Sequence, residues 1–97
     1  MMKLIALYKQ PENIDAFEKR YFDEHVPLVE KIPGLKSTTM TRFKKTLSGD
    51  GFYMMAEMDF GDRDTFNAAM NSPEMAATGK DINAFAGHLM TLMIGTS

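Results

Sequence analysis

Residues 21–28 read YFDEHVPL, and residues 32–35 read IPGL. Together they place His25, one of two histidines in the chain, two positions before a proline and then form a Pro-Gly turn. Proline has no amide hydrogen to donate and disfavours helical geometry at the residue before it, so a helix through His25 should kink or restart at Pro27. The stretch therefore predicts a histidine near the end of a helix, followed by a turn into a strand.

The helix that carries His25 is predicted to begin near Ile14. Asn13 is a suitable N-cap because its side chain can accept a hydrogen bond from a free amide of the first turn. Ring-bearing and apolar side chains then recur at steps of three and four residues, which places them on one stripe of a helix: they are Ile14, Phe17, Tyr21 and His25. His25 is therefore expected on the buried face, and a second short helical turn is expected at residues 28–31.

Four segments have the alternation or the short apolar run that is typical of β-strands: residues 2–9, 35–43, 52–60 and 88–94. In the third segment every second residue from Phe52 to Phe60 is apolar, which predicts one face on the core. The second segment contains three threonines and is more polar, so it is expected at an edge of the sheet. Residues 44–51, with two glycines around an aspartate, predict a hairpin loop.

Two helices are predicted between the third and fourth strands. The first is capped by Asp62 or Asp64 and ends at Asn71. The second begins at Ser72-Pro73-Glu74, which supplies a cap, a first-turn proline and a first-turn acid. Gly79 is a weak point in this helix because glycine is unfavourable in a helix interior. Its inward side chains are predicted to be Met75, Ala76, Ile82 and Phe85.

The order strand, helix, strand, strand, helix, strand predicts a single domain over residues 1–97 with a ferredoxin-like βαββαβ fold. This α+β sandwich has a four-stranded antiparallel sheet with helices on one face. Several strands are apolar on the other face too, and leaving that face in water would forfeit several kcal/mol. We therefore expect a homodimer whose two sheets pack face to face into an α+β barrel. Glu57 and Asp59 must then find partners or lie at the rim.

Composition excludes several classes of function. The net charge is -2 and the 11 lysines and arginines are scattered, so no surface for nucleic acid is predicted. Cysteine is absent, which excludes disulfides and thiolate chemistry. No signal-peptide pattern and no run of about 18 apolar residues is present, so a soluble, cytoplasmic protein without a membrane partner is expected. The ten methionines are interpreted mainly as core filling, with the lining of an adaptable cavity as the alternative.

No motif for a metal or a nucleotide cofactor is present. The chain has no HExxH sequence, and a metal site assembled from His25, His88 and scattered acids would be poorly defined. Haem ligation by either histidine has equally little support. The glycines match neither a phosphate loop nor a dinucleotide fingerprint. We therefore expect neither a metal nor a cofactor.

His25 is the candidate catalytic residue. A neutral imidazole can donate and accept a proton near pH 7, so His25 at the mouth of a cavity between the first helix and the sheet would act as a general acid or base. Tyr21, one turn earlier, would orient the imidazole or bind a substrate oxygen. The candidate ligand-binding residues are Tyr8, Phe17, Tyr53, Met54 and Met58. The alternative is a core histidine satisfied by a backbone carbonyl, with Tyr21 as simple packing.

The chain resembles the EthD family, named from an ethyl tert-butyl ether degradation cluster. The resemblance rests on Tyr21, His25-Val26-Pro27-Leu28 and Ile32-Pro33-Gly34-Leu35, with weaker agreement at Ser72-Pro73-Glu74 and around Asp81. It covers nearly the whole chain and implies a small dimeric α+β barrel. Many family members have a second histidine close to the tyrosine, where this chain has Phe22 and Asp23. A mechanism that needs two helix-borne histidines is therefore not expected.

The resemblance leaves the reaction open. Similar barrels include a muconolactone methylisomerase, fungal decarboxylases and cyclases, quinone-forming monooxygenases and haem-degrading enzymes, and one fold hosts many chemistries. One hypothesis is a cofactor-free enzyme of the isomerase, cyclase, decarboxylase or monooxygenase-like type, acting on a small apolar or aromatic metabolite through His25 and Tyr21. The other is a non-catalytic accessory protein of a degradation pathway that carries such a ligand. A closed core beside His25 would instead indicate a purely structural domain.

Overall fold

One four-stranded antiparallel sheet and a layer of helices make up the computed structural model, which describes residues 1–97. The strands are β1 (Met2–Tyr8), β2 (Ser37–Arg42), β3 (Met54–Gly61) and β4 (Met90–Thr96). The helices are α1 (Ile14–Arg20), α2 (Val26–Val29), α3 (Arg63–Met70) and α4 (Pro73–Phe85). A π-helical turn (Tyr21–His25) joins α1 to α2, and a 3-10 turn (Gly87–Leu89) leads into β4.

Side-chain caps determine where three of the helices begin. Each capping oxygen accepts a hydrogen bond from the backbone amide three residues further on, at 2.7–3.1 Å. The three residues are Asn13, Asp62 and Ser72, as the sequence predicts. The Ser72 hydroxyl also donates to the carbonyl of Ala69 at 2.6 Å, so one buried side chain ends α3 and starts α4.

The interruption predicted at Pro27 is a π-helical turn that precedes the proline. The Val26 amide donates to the carbonyl of Tyr21, five residues back, and Val26 keeps helical backbone angles. The last helical turn therefore begins at Val26, and not at Leu28 as predicted. The extra residue of the π turn accommodates the break in the regular hydrogen-bond ladder, so the helix resumes before Pro27. Tyr21 and His25, which bound the π turn, are only 1% and 3% exposed.

The sheet has the strand order β2-β3-β1-β4, which confirms the predicted edge position of β2. The register places Ala6 of β1 opposite Ala56 of β3 on one side and Leu92 of β4 on the other. Met40 of β2 is in turn opposite Ala56. One row across the sheet therefore has two alanines at its centre and larger side chains at its ends.

The helices cover one face of the sheet. Alternate residues of the two central strands face them and are almost completely buried: Leu4, Ala6, Tyr8, Met54, Ala56, Met58 and Phe60. The opposite face carries Ile5, Leu7 and Met55 on the central strands and Met93 on β4, which is 42% exposed. This arrangement is the predicted ferredoxin-like α+β fold.

Other details also differ from the sequence predictions. The strands β2 and β3 begin two residues later than predicted, at Ser37 and Met54. The last strand begins at Met90, two residues later than predicted, because Gly87–Leu89 forms a 3-10 turn closed by a hydrogen bond from the Leu89 amide to the carbonyl of Ala86. His88 therefore precedes the strand instead of opening it. Ala76 is exposed and does not face inward, since the buried residues of α4 are Thr78 and Ile82.

Candidate functional site

A cavity of about 120 Å³ lies between the sheet and α4. Ala6 and Ala56 contribute to its floor, and His25 contributes to its wall from the π turn. Asn83 on α4 and Leu92 on β4 are exposed members of the lining, so the cavity opens to solvent between these two elements. The sheet thus supplies the floor of the cavity and the helices supply its wall and roof.

Four of the residues proposed from the sequence line the cavity: Tyr8, Tyr21, His25 and Met58. The other three, which lie outside its lining, are Phe17, Tyr53 and Met54. Met54 is completely buried, and the Phe17 ring stacks on that of Tyr21 at a centroid distance of 5.5 Å. Tyr53 meets the Phe17 ring edge-on at 6.2 Å. These three side chains support the cavity wall from behind, and a ligand in the cavity would not contact them.

His25 is paired with a carboxylate from the other end of the chain. Its Nδ1 lies 3.0 Å from Oδ2 of Asp81 on α4, and its side chain is 4% exposed. A carboxylate can only accept a hydrogen bond, so the proton of a neutral imidazole resides on Nδ1. Asp81 is not part of the cavity lining, whereas His25 is. Nε2, on the opposite edge of the ring, is then unprotonated, and it belongs to a side chain that lines the cavity.

Arg20 holds the other oxygen of the same carboxylate. Its Nη2 lies 3.3 Å from Oδ1 of Asp81, and its guanidinium carbon lies 4.5 Å from the centre of the Phe85 ring. The Arg20 Nε is buried without a hydrogen-bond partner, so the ion pair and the ring contact are what position this side chain. Arg20, Asp81 and His25 form a chain of contacts that fixes the plane of the imidazole.

The surroundings of His25 favour the neutral imidazole. Burial is the main cause that lowers the pKa of His25 below its ordinary value of 6.5, because a charged ring would lose its hydration. The hydrogen bond and the negative charge of Asp81 oppose this shift, while the positive charge of Arg20 adds to it. The net direction is downward, so at pH 7 the imidazole is uncharged and Nε2 is a proton acceptor.

Two phenols lie next to the imidazole. The ring centroids of Tyr21 and His25 are 5.1 Å apart, and those of Tyr8 and Tyr21 are 5.4 Å apart in an edge-to-face arrangement. The Tyr21 hydroxyl makes a weak contact with the Met40 sulfur at 3.9 Å. Burial raises the pKa of both tyrosines, so both hydroxyls keep their protons at neutral pH.

The remaining polar atoms of the lining carry no charge. They belong to Thr38, Thr78 and Asn83, and the Thr78 hydroxyl already donates to the carbonyl of Glu74 at 2.9 Å. No lysine or arginine lines the cavity, and most of the lining is hydrophobic. A carboxylate or phosphate group would be buried here without a compensating cation, so the cavity suits a neutral molecule.

Sequence reasoning missed Arg20 and Asp81 as members of the site. Asp81 is 61 positions from Arg20 and 56 from His25, and the three meet only because α4 packs against the π turn. Periodicity within one helix cannot reveal a pair between two helices. The only available signal was the agreement around Asp81 with the family pattern.

His88 is not part of the cavity lining. It borders a separate, open groove together with Arg20 and Phe85. The structure has no cluster of three or more His, Cys, Asp or Glu side chains arranged to hold a metal ion. None of the helices combines the length and apolar character of a transmembrane span.

Comparisons with known proteins agree with this architecture. A family model described as the EthD domain matches residues 9–88. An uncharacterized 11.0 kDa protein of Rhodococcus erythropolis, from the thcB-thcC intergenic region, is 28% identical over 95 residues, which cover 96% of this chain and 91% of the relative.

Two solved structures resemble the chain to different degrees. A crystal structure of an EthD family protein from Bacillus halodurans C-125 is 48% identical, with a TM-score of 0.92 over 100% of this chain and 98% of the other. A dimeric ferredoxin-like protein of unknown function from Thermobifida fusca YX is 18% identical, with a TM-score of 0.69 over 99% of this chain and 90% of the other. At that identity the second structure shows a shared fold and nothing further.

Proposed function

The chain belongs to the EthD family, and we propose that it is a cofactor-free enzyme that shifts a proton within a small, neutral, apolar ligand bound in the cavity. The observation that carries this proposal is the pairing of Asp81 with Nδ1 of His25, which leaves Nε2 unprotonated on a side chain that lines an apolar cavity. A base of this kind needs a pKa near or below the working pH and a fixed orientation. Burial lowers the pKa of His25, and the hydrogen bond to the Asp81 carboxylate fixes the orientation of the ring.

The groups present suit an isomerisation through an enolate. Nε2 of His25 would remove a proton from a carbon next to a carbonyl group, and the negative charge would move to the carbonyl oxygen. The phenol of Tyr8 or Tyr21 would donate a hydrogen bond to that oxygen. The imidazolium would then return the proton to a different carbon, so substrate and product are isomers and no oxidant or reductant is consumed. Asp81 stabilises the imidazolium between the two steps.

We test this proposal with α-angelica lactone, a neutral single-ring compound that isomerises to its conjugated form by such a proton shift. The wild-type protein is expected to accelerate the isomerisation, followed by ultraviolet absorbance. His25→Gln is expected to lower kcat/KM by about 10²–10⁴-fold, the usual contribution of a general base, while thermal unfolding shows that the fold is retained.

His88→Gln is the matched control, because His88 lies outside the cavity and its replacement should leave the rate unchanged. Equal rates for the wild type and His25→Gln would contradict the proposal. A lactone that raises the Tm but isomerises no faster than in buffer would also contradict it, and would identify a ligand carrier.

We also propose that two copies of the chain pair through the open sheet face. Ile5, Leu7, Met55 and Met93 form an apolar surface there, and similar structures are described as dimeric. The acidic Glu57 also lies on this face, opposite Ile5. Asp59, near the end of the same strand, accepts a hydrogen bond from the Gly61 amide at 2.9 Å. It can therefore lie at the rim of such an interface with its carboxylate partly satisfied.

A further inference from the structure

We propose that the ligand of this cavity contains a single ring, and that the absence of a side chain at Gly79 leaves the space that this ring occupies under the roof of the cavity. The inference rests on the proposed function only in taking this cavity as the binding site. Three residues with little or no side chain create the space: Ala6, Ala56 and Gly79. Each lines the cavity from a different element.

The floor of the cavity is a depression in the sheet. Ala6 and Ala56 are directly opposite each other on β1 and β3, and each is 1% exposed. The rows on either side contain the larger pairs Tyr8 with Met54 and Leu4 with Met58. Rows on one face are about 7 Å apart along a strand, so two short side chains between two long pairs leave a hollow about as wide as one six-membered ring.

The roof of the cavity is made by one face of α4. Met75, Gly79 and Ile82 succeed one another at steps of four and three residues, which places them on the same helical face, and all three line the cavity. A Cβ atom built on Gly79 would have no atom within 4 Å. The space next to Gly79 is therefore empty, and the methyl group of an alanine at this position would occupy it.

Neither backbone geometry nor packing requires glycine at position 79. Its φ is not positive, and a Cβ atom would meet no steric contact. Glycine in a helix interior is nevertheless unfavourable relative to alanine. A residue that weakens the helix without a structural need, and that borders a cavity, is best explained by the room it leaves for a ligand.

The size and chemistry of the cavity point to a single aromatic ring with a neutral polar group. An apolar cavity of about 150 Å³ accepts benzene, and this cavity, at about 120 Å³, is of similar size, which favours one ring over two fused rings. Four methionines line it: Met40, Met58, Met75 and Met90. Thioether sulfur makes favourable contacts with aromatic rings. A hydroxyl on the ring would reach Nε2 of His25, which makes phenol the appropriate probe.

The experiment compares phenol and 1-naphthol by NMR titration of the wild type and of Gly79→Ala. The wild type is expected to bind phenol saturably and 1-naphthol at least about tenfold more weakly. Gly79→Ala is expected to raise the Tm, because alanine stabilises the helix, and to weaken phenol binding by at least about tenfold, the usual effect of one methyl group in a hydrophobic pocket.

Ala77→Gly is the matched control, since Ala77 is an exposed residue of α4 outside the cavity. It should lower the Tm and leave phenol binding unchanged. The inference is overturned if the wild type binds both compounds equally or does not bind phenol, or if Gly79→Ala binds phenol as tightly as the wild type. None of these results affects the loss of lactone isomerisation in His25→Gln, so failure of the inference can be told from failure of the proposed function.

Discussion

His25 is a buried side chain whose two ring nitrogens have different surroundings. Nδ1 is held by Asp81, which is held in turn by Arg20, while Nε2 has no partner within the chain and the side chain lines an apolar cavity. A histidine that only fills a core needs one hydrogen bond and no cavity. The combination of a fixed tautomer, a lowered pKa and adjacent space is what separates His25 from that simpler role.

The lowered pKa of His25 has a consequence for stability. The unfolded chain, with a histidine pKa near 6.5, binds a proton at a higher pH than the folded chain does. Folding is therefore favoured above pH 6.5, and stability is lost as the pH falls from 6.5 through the lower pKa of the folded state. Between pH 7 and 5, the free energy of unfolding should fall with a slope of up to about 1.4 kcal/mol per pH unit from this group.

Urea unfolding of the wild type and of His25→Gln at several pH values between 7 and 5 checks this prediction. The slope in the wild type should be largely absent in His25→Gln, which has no titrating group at this position. A similar slope in both proteins would show that other groups dominate in this range and that His25 is not held neutral.

At the scale of elements, most of the fold follows from local patterns in the sequence. Alternation identifies the strands, steps of three and four identify the helices, and capping residues such as Ser72 give their starts. The π turn at Tyr21–His25 could not be predicted, because its extra residue depends on how the helix packs and not on spacing alone. The 3-10 turn at Gly87–Leu89, after which β4 begins, also depends on packing and not on residue spacing alone.

The candidate site was predictable only in part for a related reason. His25 and Tyr21 belong to a stretch whose own periodicity places them inward, whereas the first strand is apolar on both faces and its pattern does not show which way Tyr8 points. Asp81 is partly exposed on α4 and has no periodicity that marks it, so its role emerges only when α4 meets the π turn. Gly79, which the sequence marks as a weak point of α4, has an explanation once the cavity beneath it is known.

At the scale of the whole molecule, the open sheet face is the main feature that one chain leaves unexplained. Leu7 and Met55 are directly opposite each other on its two central strands. Their burial by a second copy would remove apolar surface from water at about 25 cal/mol per Å². The cavity, in contrast, is lined from the helix-covered face of the sheet, so the proposed pairing and ligand binding use opposite faces.

The dimer is tested by introducing a charge at the centre of this face. In sedimentation equilibrium the wild type should have twice the 10.9 kDa mass of the chain. Met55→Glu should have the mass of one chain, because a second buried carboxylate beside Glu57 would lack a partner and would repel the first. Leu47→Glu is the control, since Leu47 is 88% exposed in the loop before β3. It should remain dimeric. A wild type that sediments as a single chain would contradict the proposed pairing.

The most direct test of the central claim is ¹⁵N NMR of the His25 imidazole at pH 7, assigned by comparison with His25→Gln. We predict a neutral ring with its proton on Nδ1, an unprotonated Nε2, and a pKa below 6.5 on titration. A ring protonated on Nε2, or a doubly protonated imidazolium at this pH, would leave no base facing the cavity and would contradict the account.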